Sequence, residues 1–265
     1  MRRAWLPLVA ALGVLLAGEL SAEAWSRARR VVPELRQADL ELTAGQGAAL
    51  GLLGGFRPLL ADLAWVRGYV LWERHDRGCE AHLRTACLLD PQSNYFWENR
   101  ANMVGLDMAH WEIRARGGIR VVSAESQQMT FARYARKAID GLEEGLVVVR
   151  NPAALLALAG YLAETKLKDP ALAADYYLRC DRTPGAPWYA AYFHARLLCD
   201  AGREREAYQW LRAVWEERLS RRPDGAPAEL TFLRGLERAL AVPPLQRIPP
   251  HPGETQAGGG TEVWR

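Results

Sequence analysis

The amino-acid sequence predicts an all-α protein, and three observations support this fold class. Apolar residues recur at the three- and four-residue spacing of a helix face. Short breakers rich in Pro, Gly and Asp separate these periodic stretches. No stretch is typical of a β-strand, because the β-branched runs at 119–122 and 147–149 are too short or lie within a helical pattern.

The breakers divide the chain into consecutive helices. The first begins near Pro58 and ends before the polar turn at 75–78, and the second, Cys79–Leu89, is stopped by Asp90 and Pro91. The next two are separated by a loop at 115–126. Further helices are predicted over residues 95–114, 128–149, 153–165, 171–180, 188–200, 204–219 and 228–241.

The composition is that of an ordinary globular protein, and it excludes several functional classes. The 265 residues carry a net charge of +3, and 49% of them are hydrophobic. This charge is too even for nucleic-acid binding through a basic tail, and the apolar fraction is too high for a disordered chain. A mean hydropathy of -0.19 excludes a protein with many membrane spans.

Residues 1–24 have the parts of a targeting segment. Arg2 and Arg3 precede an uncharged apolar run at 4–18, and a small-residue site follows at 22–24. The run is short for a spanning helix, which needs about 20 apolar residues. Two interpretations stay open: a cleaved signal peptide, or a membrane anchor whose basic end stays inside. Both place the remaining chain in the cell envelope, either periplasmic or anchored in the inner membrane and facing the periplasm.

The four cysteines are too few for a disulfide scaffold. Cys79 and Cys87 lie about 12 Å apart along one predicted helix, which is too far for a bridge. Cys180 and Cys199 lie on separate predicted helices among Ala and Leu residues. We favour buried thiols that fill helix contacts, and a Cys180–Cys199 disulfide is the alternative.

Successive helices form pairs of thirty-odd residues, the size of a helical solenoid repeat. Small residues recur where paired helices must approach closely, and large apolar residues flank them. In the clearest pair, residues 189–219, Ala195 and Ala207 take the crossing positions and Gly202 makes the turn. A second pair over 153–184 repeats this arrangement, with Gly160, Ala173, Tyr177 and Cys180 in comparable places.

These pairs resemble tetratricopeptide repeats (TPR), most clearly over residues 189–219 and 63–91, whereas 95–152 resembles a degenerate repeat with a long insertion. A further group of positions resembles bacterial TPR proteins with one N-terminal membrane segment: Gly54, Gly55, Phe56, Arg57, Asp62, Trp65, Arg67, Trp97, Asn99, Asn102 and Met103. The resemblance implies an α-α superhelix over residues 58–242 after a linker and capping segment at 25–57. It implies no catalytic residues.

No motif predicts catalysis, a cofactor or a metal. His75, Cys79 and His82 have a metal-like spacing only if they share one helix, but the predicted turn separates His75 from the other two. No Gly-rich loop follows a strand, and no nucleophile lies in a recognisable elbow. We therefore predict a non-enzymatic protein without a small-molecule substrate.

Asn99, Arg100 and Asn102 are the candidate partner-binding residues. Residues three apart share a helix face, and the TPR resemblance implies that this helix lines a concave groove in which Asn binds a peptide backbone. A clamp for a terminal carboxylate is disfavoured because Glu98 lies where a basic residue is needed. Alternatively, the two Asn side chains brace the loop after residue 114.

Arg57, Asp62 and Arg67 are the candidates for structural ion pairs. They lie five residues apart among apolar neighbours, which is not the ideal spacing for one helix face. A buried Arg needs a partner. We therefore expect an internal ion-pair lock at the first repeat, with Asp62 or Glu98 as acceptor, and a partner-binding patch is the alternative.

The apolar residues between 48 and 60 either cap the repeat stack or contact a membrane. Arg57 and Asp62 oppose full insertion, because ionised groups are costly at the bilayer centre.

The later aromatic residues are expected to lie mostly in the core, with one or two as anchors for a partner. They are Trp188, Tyr189, Tyr192, Phe193, Tyr208, Trp210 and Trp215.

The Pro- and Gly-rich tail at 243–265 is expected to be disordered.

Helix pairs without catalytic motifs, joined to a targeting segment, lead to one main functional hypothesis. We expect a scaffold for protein–protein interaction in a bacterial envelope assembly, whose partner is another protein and not a nucleic acid. A structural accessory subunit packed permanently in a membrane complex is the alternative. An envelope hydrolase is a third hypothesis, and it would require paired carboxylates in a cleft.

Overall fold

The computed structural model describes residues 57–222 and 226–251, and within these ranges the chain forms helices and no β-strand. The prediction of an all-α protein is thereby confirmed for the described chain. The helices are α1 (Arg57–Glu73), α2 (Cys79–Leu89), α3 (Asn94–Asn102), α4 (Met108–Ala115), α5 (Ala124–Leu146), α6 (Ala153–Leu162), α7 (Pro170–Asp181), α8 (Ala190–Asp200), α9 (Glu204–Glu217) and α10 (Pro227–Ala239).

No helix among these residues has the length and apolar character that crossing a membrane requires. The predicted targeting segment at 1–24 lies outside the described residues. So does the capping segment at 25–57, except for its last residue.

Helix boundaries agree with the sequence pattern to within a few residues, and α2 agrees at both ends. The predicted helix at 95–114 is present as α3 and α4, joined by a π-helical turn at Met103–Asp107. Helix α6 continues in the same way into a π-helical turn at Ala163–Leu167. Helix α5 begins four residues before the predicted start, because the Ser123 hydroxyl accepts a hydrogen bond from the amide of Ser126 and caps the helix there.

The described chain forms two compact units, which divide between Arg150 and Asn151. In the first unit, α1 packs on α2, and the continuous helix from α3 to α4 packs along α5. In the second, each helix from α6 to α10 packs on its neighbour in sequence, and α8 also contacts α10. Packing between sequence neighbours is what short connections between helices favour.

Small residues occupy the helix crossings, as the repeat pattern predicted. Ala195 and Ala207 are fully buried at the α8–α9 pair. On α1, a Cβ added to Gly68 would lie 3.1 Å from the side chain of Leu83 on α2, and on α6 one added to Gly160 would lie 2.8 Å from the Tyr177 ring on α7. Backbones approach this closely only where one side chain is nearly absent.

The predicted turn at Gly202 ends α8 in a Schellman motif. Gly202 has a φ of +75°, its amide donates to the carbonyl of Cys199, and the next amide, of Arg203, donates to that of Leu198. Helix α1 ends with the same pair of hydrogen bonds, with His75 in the left-handed conformation at a φ of +56°.

All four cysteines are free thiols, so the alternative of a Cys180–Cys199 disulfide is wrong. Cys180 is buried and its thiol donates to the carbonyl of Ala153 over 3.3 Å. Burial raises the pKa of Cys180 and of Cys199 to about 11, so both remain protonated at neutral pH. Cys79 and Cys87 are also fully buried, as the packing interpretation predicted.

Glu112 on α4 joins three parts of the first unit. Its carboxylate accepts hydrogen bonds from Arg133 (2.5 Å) and Tyr134 (3.0 Å) on α5 and from Arg77 (3.4 Å) in the turn after α1. Burial opposes ionisation, but the two α5 hydrogen bonds and the positive charges together hold the pKa of Glu112 below its ordinary value. The charged form therefore stabilises the fold.

The first part of the predicted disordered tail has a defined place in the second unit, which corrects that prediction for residues 243–251. The carboxylate of Glu237 accepts from the amide of Ile248 (2.7 Å), and Arg234 donates to the carbonyls of Ile248 (2.9 Å) and Pro249 (3.0 Å). The Ile248 side chain is buried. Sequence composition did not reveal this, because the binding groups lie on α10. The remainder, 252–265, lies outside the described residues.

Replacement of Gly160 by Ala is expected to destabilise the second unit. The new methyl group would overlap the buried ring of Tyr177, and overpacking costs about 1–3 kcal/mol. Gly235→Ala is a matched control, because a Cβ at this helical position on α10 meets nothing within 4 Å. Replacement of Gly by Ala raises the helix propensity by the same amount at both positions. Chemical unfolding should therefore show Gly160→Ala to be less stable than Gly235→Ala, and equal stabilities would contradict the close crossing.

Replacement of Glu112 by Gln is expected to lower the free energy of unfolding at pH 7 by about 1–2 kcal/mol, the order expected for hydrogen bonds to a charged group. Because the folded-state pKa is lowered, the contribution of Glu112 is present above the unfolded-state pKa of about 4.3 and is lost as the pH falls through the folded-state value. Urea unfolding at pH 7 and pH 2.5 measures this. The difference in the free energy of unfolding between Glu112→Gln and the native protein should be smaller at pH 2.5 than at pH 7. The control Asp140→Asn, at an exposed position, should differ little from the native protein at pH 7.

Candidate partner-binding surface

Arg100 is not available to a partner, which corrects its prediction as a groove residue. Its side chain is buried (8% exposed) against α5, where Nη1 lies 3.6 Å from the carboxylate of Glu144. A Cβ added to Gly141 would lie 2.6 Å from this same atom. Consecutive residues are rotated by about 100° on a helix, so Arg100 faces α5 while its neighbour Asn99 does not.

The two candidate Asn side chains lie at the surface of the first unit. Asn99 donates to the carbonyl of Tyr95 in its own helix (2.7 Å), and Asn102 is exposed. The alternative, that they brace the loop after residue 114, is wrong for Asn99. Gln127 holds that loop, because its amide donates to the carbonyls of Ile119 (2.9 Å) and Val122 (2.7 Å).

Arg57, Asp62 and Arg67 do not form the predicted internal lock. Arg57 donates to the carbonyl of Leu88 at the end of α2 (3.0 Å). Asp62 and Arg67 are both exposed on α1, and across the described ranges no ion pair includes either of them. Five residues rotate a helix by about 140° beyond one full turn, so these side chains point in different directions.

A cluster of aromatic residues at the start of α8 and on α10 is the strongest candidate for a binding surface. Tyr189, Tyr192, Phe193 and Arg196 follow the three- and four-residue spacing of one helix face, and each is half-buried. We call Trp188, Tyr189, Tyr192, Phe193 and Phe232 the aromatic surface. Trp188 is its most accessible member, with 61% of its area exposed.

Phe193 lies at the centre of the aromatic surface. It stacks on Tyr177 of α7 at a ring distance of 5.1 Å and contacts Tyr189 edge-on at 5.5 Å. Tyr192 contacts Phe193 at 5.7 Å and reaches across to Phe232 on α10 at 5.3 Å. These contacts hold the rings in place, so a partner would meet a preformed surface at little entropic cost.

Two charge pairs flank the aromatic surface. The guanidinium of Arg196 lies 4.9 Å from the ring of Phe193 and pairs with Glu164 on the π-helical turn after α6. The guanidinium of Arg222 lies 5.9 Å from the ring of Trp188 and pairs with the buried Glu229 of α10 over 2.7 Å. Charges at both ends of an apolar centre are typical of a protein interface with a polar rim.

The tyrosines of this surface keep their protons. Burial raises the pKa of Tyr189 and that of Tyr192 above the ordinary value. Both phenols are therefore neutral at physiological pH, and each hydroxyl can donate and accept a hydrogen bond. The surface combines ring area with polar groups that can align a bound segment.

The prediction that the later aromatics lie mostly in the core is wrong, because only two of the seven are buried and the other five are half-buried or exposed. Tyr208 and Trp215 are buried, and Trp210 packs edge-on against the buried His194 at 4.4 Å. Phe232 was missed, because its contact with Tyr192 joins two helices that are not consecutive. The spacing of Tyr189, Tyr192 and Phe193 was the available signal for a shared face.

A separate open groove of about 420 Å³ lies between α9 and residues 240–246. Exposed Arg205 and Gln209 line one side. Arg212 crosses it and donates to the carbonyl of Gln246 (2.8 Å). The groove is basic and open to solvent, without the aromatic packing of the surface on α8.

The buried Arg and Glu residues of the described ranges form ion pairs. No three His, Cys, Asp or Glu side chains there are grouped closely enough to hold a metal ion. The two most deeply buried carboxylates, Glu229 and Glu237, lie eight residues apart on α10, and each is paired with an arginine. Such pairing satisfies a buried charge.

Comparison with known proteins assigns no function to this chain. No protein-family model matches the chain, and the search of curated proteins found no match.

Variants of the Arg100–Glu144 pair test the structural role of Arg100. Arg100→Met is expected to keep or raise the free energy of unfolding, because Met fills the same space without a buried charge. Glu144→Ala should lower it by about 1–3 kcal/mol, because Arg100 then stays buried without its partner. Chemical unfolding of both variants measures the difference. A larger loss for Arg100→Met than for Glu144→Ala would contradict this assignment.

Proposed function

We propose that this chain is a non-enzymatic scaffold that binds a segment of another protein through the aromatic surface. The observation that carries the proposal is this half-buried aromatic cluster, which is centred on Phe193, includes the exposed Trp188 and is bounded by the Arg196 and Arg222 charge pairs. Aromatic and arginine side chains supply most of the binding energy in protein interfaces.

The proposed scaffold is a TPR-like, right-handed superhelix of helix pairs. The small residues at the helix crossings and the turn at Gly202 support this, because stacked helix pairs require both. In such a solenoid the first helices of successive pairs share one face. Helices α8 and α10 hold these positions in the second unit, and the Tyr192–Phe232 contact joins them.

We further propose that the scaffold works in the bacterial cell envelope, exported or anchored by its N-terminus. The support is sequence-based: Arg2 and Arg3 precede an uncharged apolar run at 4–18, which is the pattern of a secretory signal or signal anchor.

A second candidate is a structural accessory subunit that is packed permanently in a membrane complex. The exposed Leu59, Leu63 and Val66 on α1 favour it, because an obligate subunit exposes apolar area when it is isolated. The behaviour of the purified full-length chain separates the two candidates. A scaffold stays monodisperse in mild detergent without its partner, whereas an obligate subunit aggregates.

Affinity capture with surface variants tests the proposed function. The full-length chain, Trp188→Ala, Tyr192→Ala and the control Leu245→Ala are used as baits in detergent-solubilised membranes, and bound proteins are quantified by mass spectrometry. Leu245 is fully exposed in the same unit and lies outside the aromatic surface. A true partner should be depleted at least tenfold by both aromatic variants and retained by the control, since loss of an interface anchor costs about 2 kcal/mol or more.

Circular dichroism of each bait excludes unfolding as the cause of a loss. The affinity of the purified partner is then measured for each variant, and the same order is expected. Recovery of the same proteins by all four baits, or of no specific protein by a folded native chain, would overturn the proposal.

A further inference from the structure

Helix α1 carries apolar residues on two opposite sides. Ala61 and Gly68 are buried on the side that faces α2. Leu59, Leu63, Val66 and Val70 follow the spacing of a second face, which we call the outer stripe. At about 100° per residue, the outer stripe lies about 180° from the buried pair.

The outer stripe is exposed over most of its length. The exposed fractions are 54% for Leu59, 57% for Leu63 and 49% for Val66. Single exposed apolar residues are ordinary on protein surfaces, but several that are aligned along one helix face mark a contact surface. The described residues leave this face of α1 largely uncovered.

We propose that residues 42–53 of the same chain dock on the outer stripe. Fifty-six residues precede Arg57, and this segment lies close before α1 in the sequence. It contains no charged residue, and Leu42, Ala49, Leu50 and Leu53 follow the spacing of one helix face. The segment therefore offers an apolar stripe of matching length next to the one on α1.

The connection allows the two stripes to meet. Gly54 and Gly55 lie between the segment and α1, and adjacent glycines permit a sharp reversal of the chain. After such a reversal Leu53 lies near Leu59, and Leu42 lies near Val70. Each stripe spans 12 residues, whose ends would lie about 16 Å apart in a helix.

Charge also favours this direction. Glu41 would reach the part of α1 that carries the exposed Arg67, which forms no ion pair with the rest of the described chain. An acidic side chain there would complement it. Asp62 and Arg67 lie on either side of the outer stripe, where a membrane-embedded surface would have to accommodate both charges.

Photo-cross-linking in the full-length chain tests the proposal directly. The photoreactive residue p-benzoylphenylalanine replaces Leu63 on the outer stripe or, as a control, Met129, which is at least as exposed (67%) in the same unit. Mass spectrometry then identifies the cross-linked peptide, and a mixture of isotopically light and heavy chains separates contacts within one chain from contacts between copies.

We expect position 63 to cross-link within one chain to a peptide from residues 42–53, and position 129 not to do so. Cross-links from position 63 to a second copy, to another protein or to lipid would assign the outer stripe to that occupant and overturn the proposal. The absence of any cross-link to residues 42–53 would overturn it equally.

A double-mutant cycle provides a second measurement that does not depend on cross-linking yield. Leu53→Ala and Leu63→Ala are combined in the full-length chain, and thermal unfolding is compared with the single variants. Contacting residues show coupled effects. The double variant should therefore lower the melting temperature by clearly less than the sum of the two single shifts. A control cycle combines Leu53→Ala with Met129→Ala, and its two shifts in melting temperature should add. Additive shifts for Leu53→Ala and Leu63→Ala as well would contradict direct packing.

Discussion

The close approach of helix backbones at small residues is the constraint on which both units depend. The side chain of Leu83 packs against Gly68 where α1 and α2 cross, and the ring of Tyr177 packs against Gly160 where α6 and α7 cross. A larger residue at either position would separate the helices and expose the apolar side chains beside the crossing. The short distance between the helix backbones at each crossing lets the apolar side chains beside it pack together.

The aromatic residues of α8 lie away from the side of the helix that packs on its neighbours. Ala190, Ala191 and Ala195 are fully buried on the side of α8 that faces its neighbours. Leu197 and Leu198 are buried on the same side, whereas Tyr192 and Phe193 lie toward the opposite side and are half-buried. The ring contacts with Tyr177 and between Tyr189, Tyr192 and Phe193 hold these side chains in place on that side.

Buried and half-buried charges add specificity to this packing. Glu112 links α4 to α5 and to the turn after α1, while Glu237 and Arg234 hold residues 248–249 against α10. Glu112 is satisfied by partners distant in sequence, and Glu237 by Arg234 three residues away and by the amide of Ile248; these contacts offset the desolvation of the charges. At the aromatic surface, Arg196 and Arg222 are held in the same way, so that their positions relative to the rings are set before any partner binds.

The sequence by itself determined the helices, their crossings and the turn at Gly202, because helical periodicity, small-residue spacing and turn chemistry are local properties. Only the tertiary structure decided the roles of Arg100, Asp62 and Phe232. Helix spacing indicates which residues share a face, but the neighbour that covers this face comes from elsewhere in the chain. Arg100 is buried because α5 packs over it, Phe232 is part of the surface because α10 lies beside α8, and residues 243–251 are ordered because Glu237 and Arg234 bind them.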